Sequence, residues 1–324
     1  MKKIFMISAA FAALFLSASC QKESMIPDAN DPVAAFEIQM PGAYQTKAIA
    51  DGTTAKELLY GVYAAKTVKD DASGETTTTY TFVESGKGVS VESLKFRAEL
   101  HLVRNVSYRV VFWAQAPGNT AYDVDFDKAT VVADYSASCM ANDETRDAFY
   151  NYIDVKLTKD ETFPVALFRP LAQINFGSDK VDYNALAPFL NNGLKSTIAV
   201  EGIPDTFSLT EGTLSGSAKV EFAADFAPVY NKEVLKEYED KYEYVGMNYV
   251  FAASQKQNMP KDLTATFIHD SDEIVVTVPN VPYCANYRTN ILGFLFTEKL
   301  ITEIEVKPIP YGDEIVDSET IKTN

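Results

Sequence analysis

The chain has 324 residues and carries 45 acidic against 29 basic side chains, a formal net charge of −16. A surface this acidic repels a phosphate backbone, so the composition excludes nucleic-acid binding as a main function. Only two histidines are present, which leaves little material for histidine-based metal or acid–base chemistry. The 20 phenylalanines and 18 tyrosines, with abundant valine and threonine, favour β structure.

The beginning of the chain has the order of an export signal. Two lysines precede an apolar run that is too short to span a bilayer, and small residues then lead into Cys20. This order resembles a bacterial lipoprotein signal, so we predict a signal peptide at residues 1–19, acylation of Cys20 and a flexible tether at residues 20–32. The alternative is an ordinary secretory peptide. Cys139 and Cys284 are compatible with a disulfide or with two separate thiols.

Period-two alternation of apolar and polar residues predicts strands through the first half of the chain. The predicted strands cover residues 36–40, 58–64, 94–102 and 108–114. The last of these is apolar on both faces, which places Trp113 in or near the core. The acidic, threonine-rich residues 69–79 are predicted to be a loop that enters a strand at Tyr80.

The strand pattern restarts near Pro164. The further predicted strands cover residues 172–176, 197–200, 218–222, 247–251, 264–268 and 274–278. The last two flank an acidic turn and predict a hairpin. Short helices are predicted at residues 182–190 and 232–242. Short strands at this spacing favour antiparallel β-sandwiches over βαβ units.

The sequence contains no complete catalytic or metal-binding motif. Asp123, Asp125 and Asp127 resemble the opening of a calcium loop, but Lys128 stands where that loop needs glycine. We interpret the segment as an edge strand with an acidic face, which hinders unwanted strand pairing. No GxSxG, HExxH, Walker A or dinucleotide-binding pattern occurs. The sequence therefore predicts no enzyme, no metal and no cofactor.

Five stretches, spread over most of the chain, follow a known order. They are TKAIADG at 46–52, NDETRDAF at 142–149, RPLAQINF at 169–176, GMNYV at 246–250 and NYRTNILG at 286–293. Together they resemble the fimbrillin-like lipoproteins of Gram-negative gut and oral bacteria, which are subunits or relatives of type V pili. The resemblance implies an all-β fold with two tandem transthyretin-like antiparallel β-sandwich domains, at residues 33–163 and 164–324, with short helical insertions. It also implies a lipid anchor in the outer membrane and display on the cell surface or in a fimbria.

The resemblance further implies a mode of assembly. In pilins of this family a trypsin-like protease cuts after a basic residue, usually arginine, and removes the first strand. Here Lys47, followed by Ala48, stands at that position. The strand that would leave contains Phe36, Ile38 and Met40.

Donor-strand exchange completes this mechanism, because a strand from a neighbouring subunit fills the groove that the first strand vacates. Ile304 and Val306 share one face of a C-terminal strand, followed by a polar tail beyond Tyr311, and are the candidate donor residues. The alternative is that this strand completes its own C-terminal sandwich, since Pro308 and Pro310 limit its length.

Three functions therefore compete. The leading hypothesis is a pilus subunit or adhesion component whose partners are other pilin-like subunits and a host or bacterial surface receptor. The alternative is a non-polymerising surface lipoprotein that binds a glycan or a protein through exposed aromatic residues. The third, a hydrolase on a sandwich scaffold, would need two close, buried carboxylates in a concave pocket.

Overall fold

A computed structural model of the chain describes residues 27–40, 52–71, 73–136, 143–190, 195–225, 240–269, 272–308 and 319–322. The predicted signal peptide, Cys20, Lys47, Ala48 and Cys139 lie outside these residues. The described chain contains one α-helix, α1 (Lys180–Leu190), and a short 3-10 helix, Glu144–Arg146. No helix within the described ranges is long and apolar enough to cross a membrane.

The remaining regular structure consists of strands. They are β1 (Val33–Gln39), β2 (Glu57–Lys69), β3 (Thr76–Lys87), β4 (Val89–Glu92), β5 (Lys95–His101), β6 (Ser107–Gln115), β7 (Tyr122–Asp125), β8 (Thr130–Ala133), β9 (Phe149–Lys156), β10 (Glu161–Ala166), β11 (Leu171–Asp179), β12 (Lys195–Ile203), β13 (Thr206–Ser208), β14 (Leu214–Ser215), β15 (Ala218–Asp225), β16 (Tyr242–Phe251), β17 (Gln257–Asn258), β18 (Leu263–His269), β19 (Asp272–Val278), β20 (Pro282–Tyr283), β21 (Tyr287–Phe294), β22 (Leu300–Pro308) and β23 (Glu319–Lys322). The all-β fold predicted from the sequence is confirmed.

The first half of the chain forms two four-stranded sheets around one apolar core. Sheet 1 has the order β10-β1-β5-β4 and sheet 2 has the order β3-β2-β6-β9. Buried apolar residues alternate along β5 with the exposed Arg97, Glu99 and His101, as the period-two pattern predicts. In β6 every residue after Ser107 is buried, because the second face of sheet 2 also packs against the protein.

The second half repeats this topology. Sheet 3 has the order β16-β11-β21-β22-β23 and sheet 4 has the order β15-β12-β18-β19. The strands β10-β1-β5 correspond to β21-β11-β16, and β3-β2-β6-β9 correspond to β15-β12-β18-β19. In each half the first strand runs parallel to the last strand of the repeat and antiparallel to a middle strand. Strands β22 and β23 are additional to the repeat.

The two halves also share a sheet and a core. Sheet 5, with the order β14-β13-β8-β7, joins two strands from each half. The Trp113 ring lies 6.2 Å from the Phe207 ring and 6.5 Å from the Phe251 ring, centroid to centroid, across this junction. The Tyr150 hydroxyl donates to the Leu209 carbonyl at 2.6 Å. Since β10 crosses residues 163 and 164, the division into two domains at that point stays a prediction.

All ten predicted strand segments lie in strands, apart from at most one residue at either end, and the predicted hairpin is β18–β19. The helix predicted at 182–190 is α1, and the acidic segment that includes Asp123 and Asp125 forms β7 at the edge of sheet 5. Two parallel pairings, β1 with β10 and β11 with β21, depart from the antiparallel prediction. Period-two alternation indicates which face of a strand is buried but not the direction of the neighbouring strand, so it could not predict these parallel pairings.

Two local predictions were wrong, and the end of a third was misplaced. The loop predicted at 69–79 is much shorter, because β2 continues to Lys69 and β3 begins at Thr76; the β-branched threonines favour a strand there. The helix predicted at 232–242 does not reach Tyr242, which begins β16; residues 226–239 lie outside the described chain. Beyond Tyr311 the sequence predicted only a polar tail, whereas Glu319–Lys322 forms β23 and pairs with β22.

A buried carboxylate anchors α1 to the end of sheet 3. Asp182, 1% exposed, accepts backbone hydrogen bonds from Leu295 at 2.7 Å, Phe296 at 2.9 Å and Thr297 at 2.7 Å. The hydroxyls of Ser178 and Thr297 donate at 2.8 and 2.6 Å. Burial would raise the pKa of Asp182, but these hydrogen bonds to the ionised form outweigh it and lower the pKa below its usual 3.8.

We therefore predict that Asp182→Asn lowers the free energy of unfolding at pH 7 by about 1–3 kcal/mol, because an amide cannot accept all these bonds. A lowered folded pKa stabilises the protein above the usual value, and this contribution is lost as the pH falls through the folded pKa. The difference between wild type and variant should thus begin to narrow as the pH falls below 3.8 and close once the pH is below the folded pKa. Urea unfolding at several pH values measures it. The exposed control Glu99→Gln should show little difference at any pH, and a gap that stays constant down to pH 2 would contradict the assignment.

Candidate functional site

The first strand lies inside sheet 1 and not at its edge. β1 pairs with β10 on one side and with β5 on the other, along its whole length. Just beyond its ends, the Met40 amide donates to the Leu94 carbonyl at 2.9 Å and the Leu102 amide donates to the Pro32 carbonyl at 3.0 Å. Without β1, the facing edges of β5 and β10 would stand about 10 Å apart, the width that one strand fills.

The side chains of β1 close the apolar core of the first half. Phe36, Ile38 and Met40 are all buried, which confirms the predicted strand face. The Phe36 ring lies 5.3 Å from the Phe112 ring and 5.6 Å from the Phe163 ring. Each large apolar side chain of this kind contributes ~1.5–3 kcal/mol when it is buried. The strand is thus held by backbone pairing and by apolar contacts.

The two described residues that flank the Lys47–Ala48 segment lie close together. These residues, Met40 and Gly52, both lie against the first core. Gly52 has a φ of +74°, and a Cβ atom there would lie 3.0 Å from Cζ of Phe149 and 3.2 Å from Cε of Met40. Only glycine fits this position without strain. A cut within the segment would therefore leave β1 attached by non-covalent contacts alone.

The candidate donor residues lie in β22, where both Ile304 and Val306 are buried. In the structure β22 pairs with β21 and β23 of its own chain, so donation would require it to leave β21. Glu305 lies between them in the sequence and is also only 4% exposed. Its carboxylate lies 2.7 Å from Nζ of Lys307 and accepts a hydrogen bond from Nδ2 of Asn290 at 3.3 Å.

A row of buried polar side chains holds β11, the repeat counterpart of β1. Nε2 of Gln173 donates to the Tyr249 hydroxyl at 3.0 Å, and Nδ2 of Asn175 donates to Oδ1 of Asn290 at 2.9 Å. The Tyr249 hydroxyl donates to Glu144 at 3.0 Å, and burial raises the pKa of this tyrosine. Sequence reasoning missed this row, because polar residues that alternate with apolar ones indicate a solvated face.

A buried ion pair lies where the two halves join, and the sequence patterns did not predict it. Arg169 and Asp147 are almost fully buried, and Nη2 of Arg169 lies 2.5 Å from Oδ2 of Asp147. The guanidinium group also lies 4.7 Å from the centroid of the Phe149 ring. The signals were present, since both residues belong to stretches that match the fimbrillin pattern, but their pairing across 22 positions is not a local property.

The candidate metal and thiol residues can be placed among the described side chains. No group of three or more His, Cys, Asp or Glu residues there is arranged to hold a metal ion. Asp125 of the candidate calcium loop instead forms an ion pair with Lys128 at 2.5 Å. Cys284 is buried and its Sγ donates to the Ser254 carbonyl at 3.1 Å, while its possible partner, Cys139, lies outside the described residues.

Several solved structures from Bacteroides and Parabacteroides species resemble this chain. A candidate adhesin from Bacteroides thetaiotaomicron VPI-5482 aligns with a TM-score of 0.52 and 11% identity over 91% of this chain and 99% of that one, which shows a shared fold. A candidate cell adhesion protein from Bacteroides ovatus ATCC 8483 has a TM-score of 0.47 and 12% identity over 90% and 100% of the two chains. A fimbrial assembly protein from Parabacteroides distasonis ATCC 8503 has a TM-score of 0.42 and 14% identity over 89% and 98%.

No curated protein matches the sequence. Residues 30–323 match the model of a family of unknown function, DUF6562, which covers almost the whole described structure. The chain therefore belongs to the DUF6562 family.

Proposed function

We propose that the protein is a fimbrillin-type adhesion or pilus component of the bacterial surface, with no catalytic activity. Acyl chains on Cys20 would anchor it in the outer membrane. Cleavage after Lys47 would free β1, and a strand from a neighbouring subunit would replace it. The observation that carries the proposal is the position of β1, the first strand of the described chain, which lies inside its sheet, pairs on both sides and buries apolar side chains in the core.

The groove left by β1 has only one kind of good occupant. Its two walls are strand edges with unpaired backbone groups, and its floor is the core around Phe112. Leaving either of these in water is costly, and one incoming strand with an apolar residue at every second position satisfies both. Because Glu37 is exposed, the outward face of the incoming strand can be polar. The groove therefore requires an alternation of apolar and polar residues in the incoming strand but not one particular sequence.

Comparison with β11 supports the choice of β1 as the strand that exchanges. Both strands occupy the same place in their repeats, but Gln173 and Asn175 tie β11 to its neighbours through side-chain hydrogen bonds. Releasing β11 would leave buried polar groups without partners, which is more costly than exposing apolar ones to a replacement strand. The described residues of β1 carry no such buried polar group.

The C-terminal strands are suited to donation for a related reason. The first half has no counterpart of β22, because β10 itself is the edge of sheet 1. The counterparts of β10, β1 and β5 in the second half therefore do not include β22, although Ile304 packs in the core there. We propose that β22, with Ile304 and Val306, leaves sheet 3 of its own subunit and enters the groove of the next one.

We predict that a trypsin-like protease cuts the purified protein between Lys47 and Ala48 and that oligomers resistant to mild detergent then form. Lys47→Ala should prevent both events, and the control Lys47→Arg should preserve them. Sequencing of the new N-terminus and unboiled gel electrophoresis measure the two steps. Oligomers of equal yield from Lys47→Ala would show that assembly does not begin with this cut.

For the donor strand, we predict that Ile304→Asp combined with Val306→Asp abolishes oligomers after cleavage and leaves a folded monomer. Two carboxylates cannot enter the apolar groove, whereas the second half keeps a counterpart of β10, β1 and β5 without β22. Circular dichroism and size-exclusion chromatography check fold and assembly, and Ile304→Val with Val306→Ile is the volume-conserving control. A double Asp variant that unfolds would assign β22 to its own sheet, and one that still oligomerises would exclude it as the donor.

The second candidate function is a non-polymerising surface lipoprotein that binds a glycan or a protein. The observation that favours it is the exposure of two aromatic side chains near β9, Tyr152 at 36% and Phe168 at 45%. Arg109 stacks on the Tyr152 ring at 3.9 Å and holds it in place. A chain that is cut after Lys47 and stays monomeric would favour this function over assembly.

A further inference from the structure

The outer edge of β3 is long, exposed and free of charged side chains over most of its length. β3 lies at the edge of sheet 2, and no other strand of the described chain pairs with its outer side. Residues 76–83 read TTTTYTFV, a run of good strand formers without charge or proline. Such an edge is a template for pairing with another strand.

Strands β2 and β3 form a hairpin, and the end of this hairpin near its turn does not pack against any core that the described residues form. The last four residues of β2 and the first four of β3 are exposed on both faces, although the two strands stay paired as far as Lys69 and Thr76. The hydroxyls of Thr67 and Thr78 lie 3.0 Å apart across the ribbon. A two-stranded ribbon is marginally stable in water by itself, so a further strand on β3 would support it.

Four other edges of the described sheets, those of β10, β7, β4 and β19, carry features that block pairing. In β10 the Leu167 amide bonds to β1, at Gln39, so alternate residues place Pro164, which lacks an N–H group, on the outer side. β7 has aspartates, β4 has only four residues, and β19 begins with two acidic residues. Natural proteins use these devices to prevent edge-to-edge contact, and β3 lacks them between Thr76 and Val83.

The outward backbone groups of β3 form a symmetric set. The Asp70 amide donates to the Glu75 carbonyl, and the pairing continues without a bulge as far as Phe82. Successive residues point their backbone groups to opposite sides, so residues 77, 79 and 81 bond to β2. The outward residues are Thr76, Thr78, Tyr80 and Phe82, which lie evenly about Thr79.

We propose that β3 pairs antiparallel with β3 of a second copy of this chain, about a two-fold axis at Thr79. Thr78 then faces Tyr80 of the partner subunit, and Thr76 faces Phe82 of the partner subunit. All four outward residues thus find hydrogen-bonded partners, which is why the occupant is a second copy. Sheet 2 becomes a continuous eight-stranded sheet across the dimer, independently of donor-strand exchange.

Charge is compatible with this register. Glu75 lies opposite Val83 of the partner subunit and Glu84 lies opposite Gly74 of the partner subunit, so no like charges face each other along the paired edge. The net charge of −16 on each copy still opposes association. Salt screens this repulsion, so dimerisation should strengthen as ionic strength rises.

Disulfide trapping in the full chain tests the proposal. In the proposed register Thr79 faces its own copy as a non-hydrogen-bonded pair with Cα atoms about 4.5 Å apart, within disulfide range. Thr79→Cys should therefore form a covalent dimer under mild oxidation. In the matched control Thr76→Cys, the two cysteines are about 20 Å apart and should not cross-link. The wild-type chain, with its native cysteines, sets the baseline on non-reducing gels.

A second variant separates specific pairing from random collision. Thr78→Pro removes an outward N–H group and the hydroxyl contact with Thr67 but no backbone bond between β2 and β3, so adding it to Thr79→Cys should abolish the covalent dimer. Three results would overturn the proposal: no dimer from Thr79→Cys, equal dimer from Thr76→Cys, or a dimer that persists with Thr78→Pro. The first of these would also be the result if the edge served a strand from a different protein.

Discussion

The pairing of β1 with β5 and β10 is the interaction on which the first half depends. These neighbours are distant in sequence, since Phe36 pairs with Ala98 on one side and Phe163 on the other. A single strand therefore closes the sheet and fills the core beneath it. Backbone groups on both of its edges must be paired, because unpaired groups in a buried sheet are costly. Because of this constraint the groove accepts only a β-strand, but that strand can come from the same subunit or from another one.

The topological repeat shows how one arrangement can serve two purposes. In the second half, Gln173 and Asn175 fix β11 by hydrogen bonds that only the correct register satisfies. In the first half the corresponding strand, β1, packs its side chains against an apolar core. Gly52 lies beside Met40, where a larger side chain would not fit. The buried Arg169–Asp147 pair and the shared Trp113 cluster hold the halves together independently of β1. Exchange of β1 would therefore leave the junction intact.

Much of this fold could be predicted from the sequence, because half-buried strands impose a period of two. The pattern placed Phe36, Ile38 and Met40 on one buried face and Trp113 in the core. It failed where burial or pairing is not local: both faces of β11 are covered, so Gln173 and Asn175 are buried despite their alternation. The threonines after residue 75 do not show the strand pattern, because a hairpin arm without a core has no apolar alternation. Parallel pairing and the Arg169–Asp147 contact arise from long-range topology, which residue spacing does not encode.

The central claim is that β1 is an exchangeable strand, and a peptide-replacement measurement tests it most directly. Protein cut after Lys47 would be incubated with a fluorescent peptide of residues 27–40, and bound label would be followed by fluorescence anisotropy. The account predicts that cut protein incorporates the peptide, that uncut protein does not, and that a peptide of residues 171–179 from β11 binds neither. Failure of the cut protein to take up the β1 peptide, or equal uptake by the uncut chain, would contradict the account.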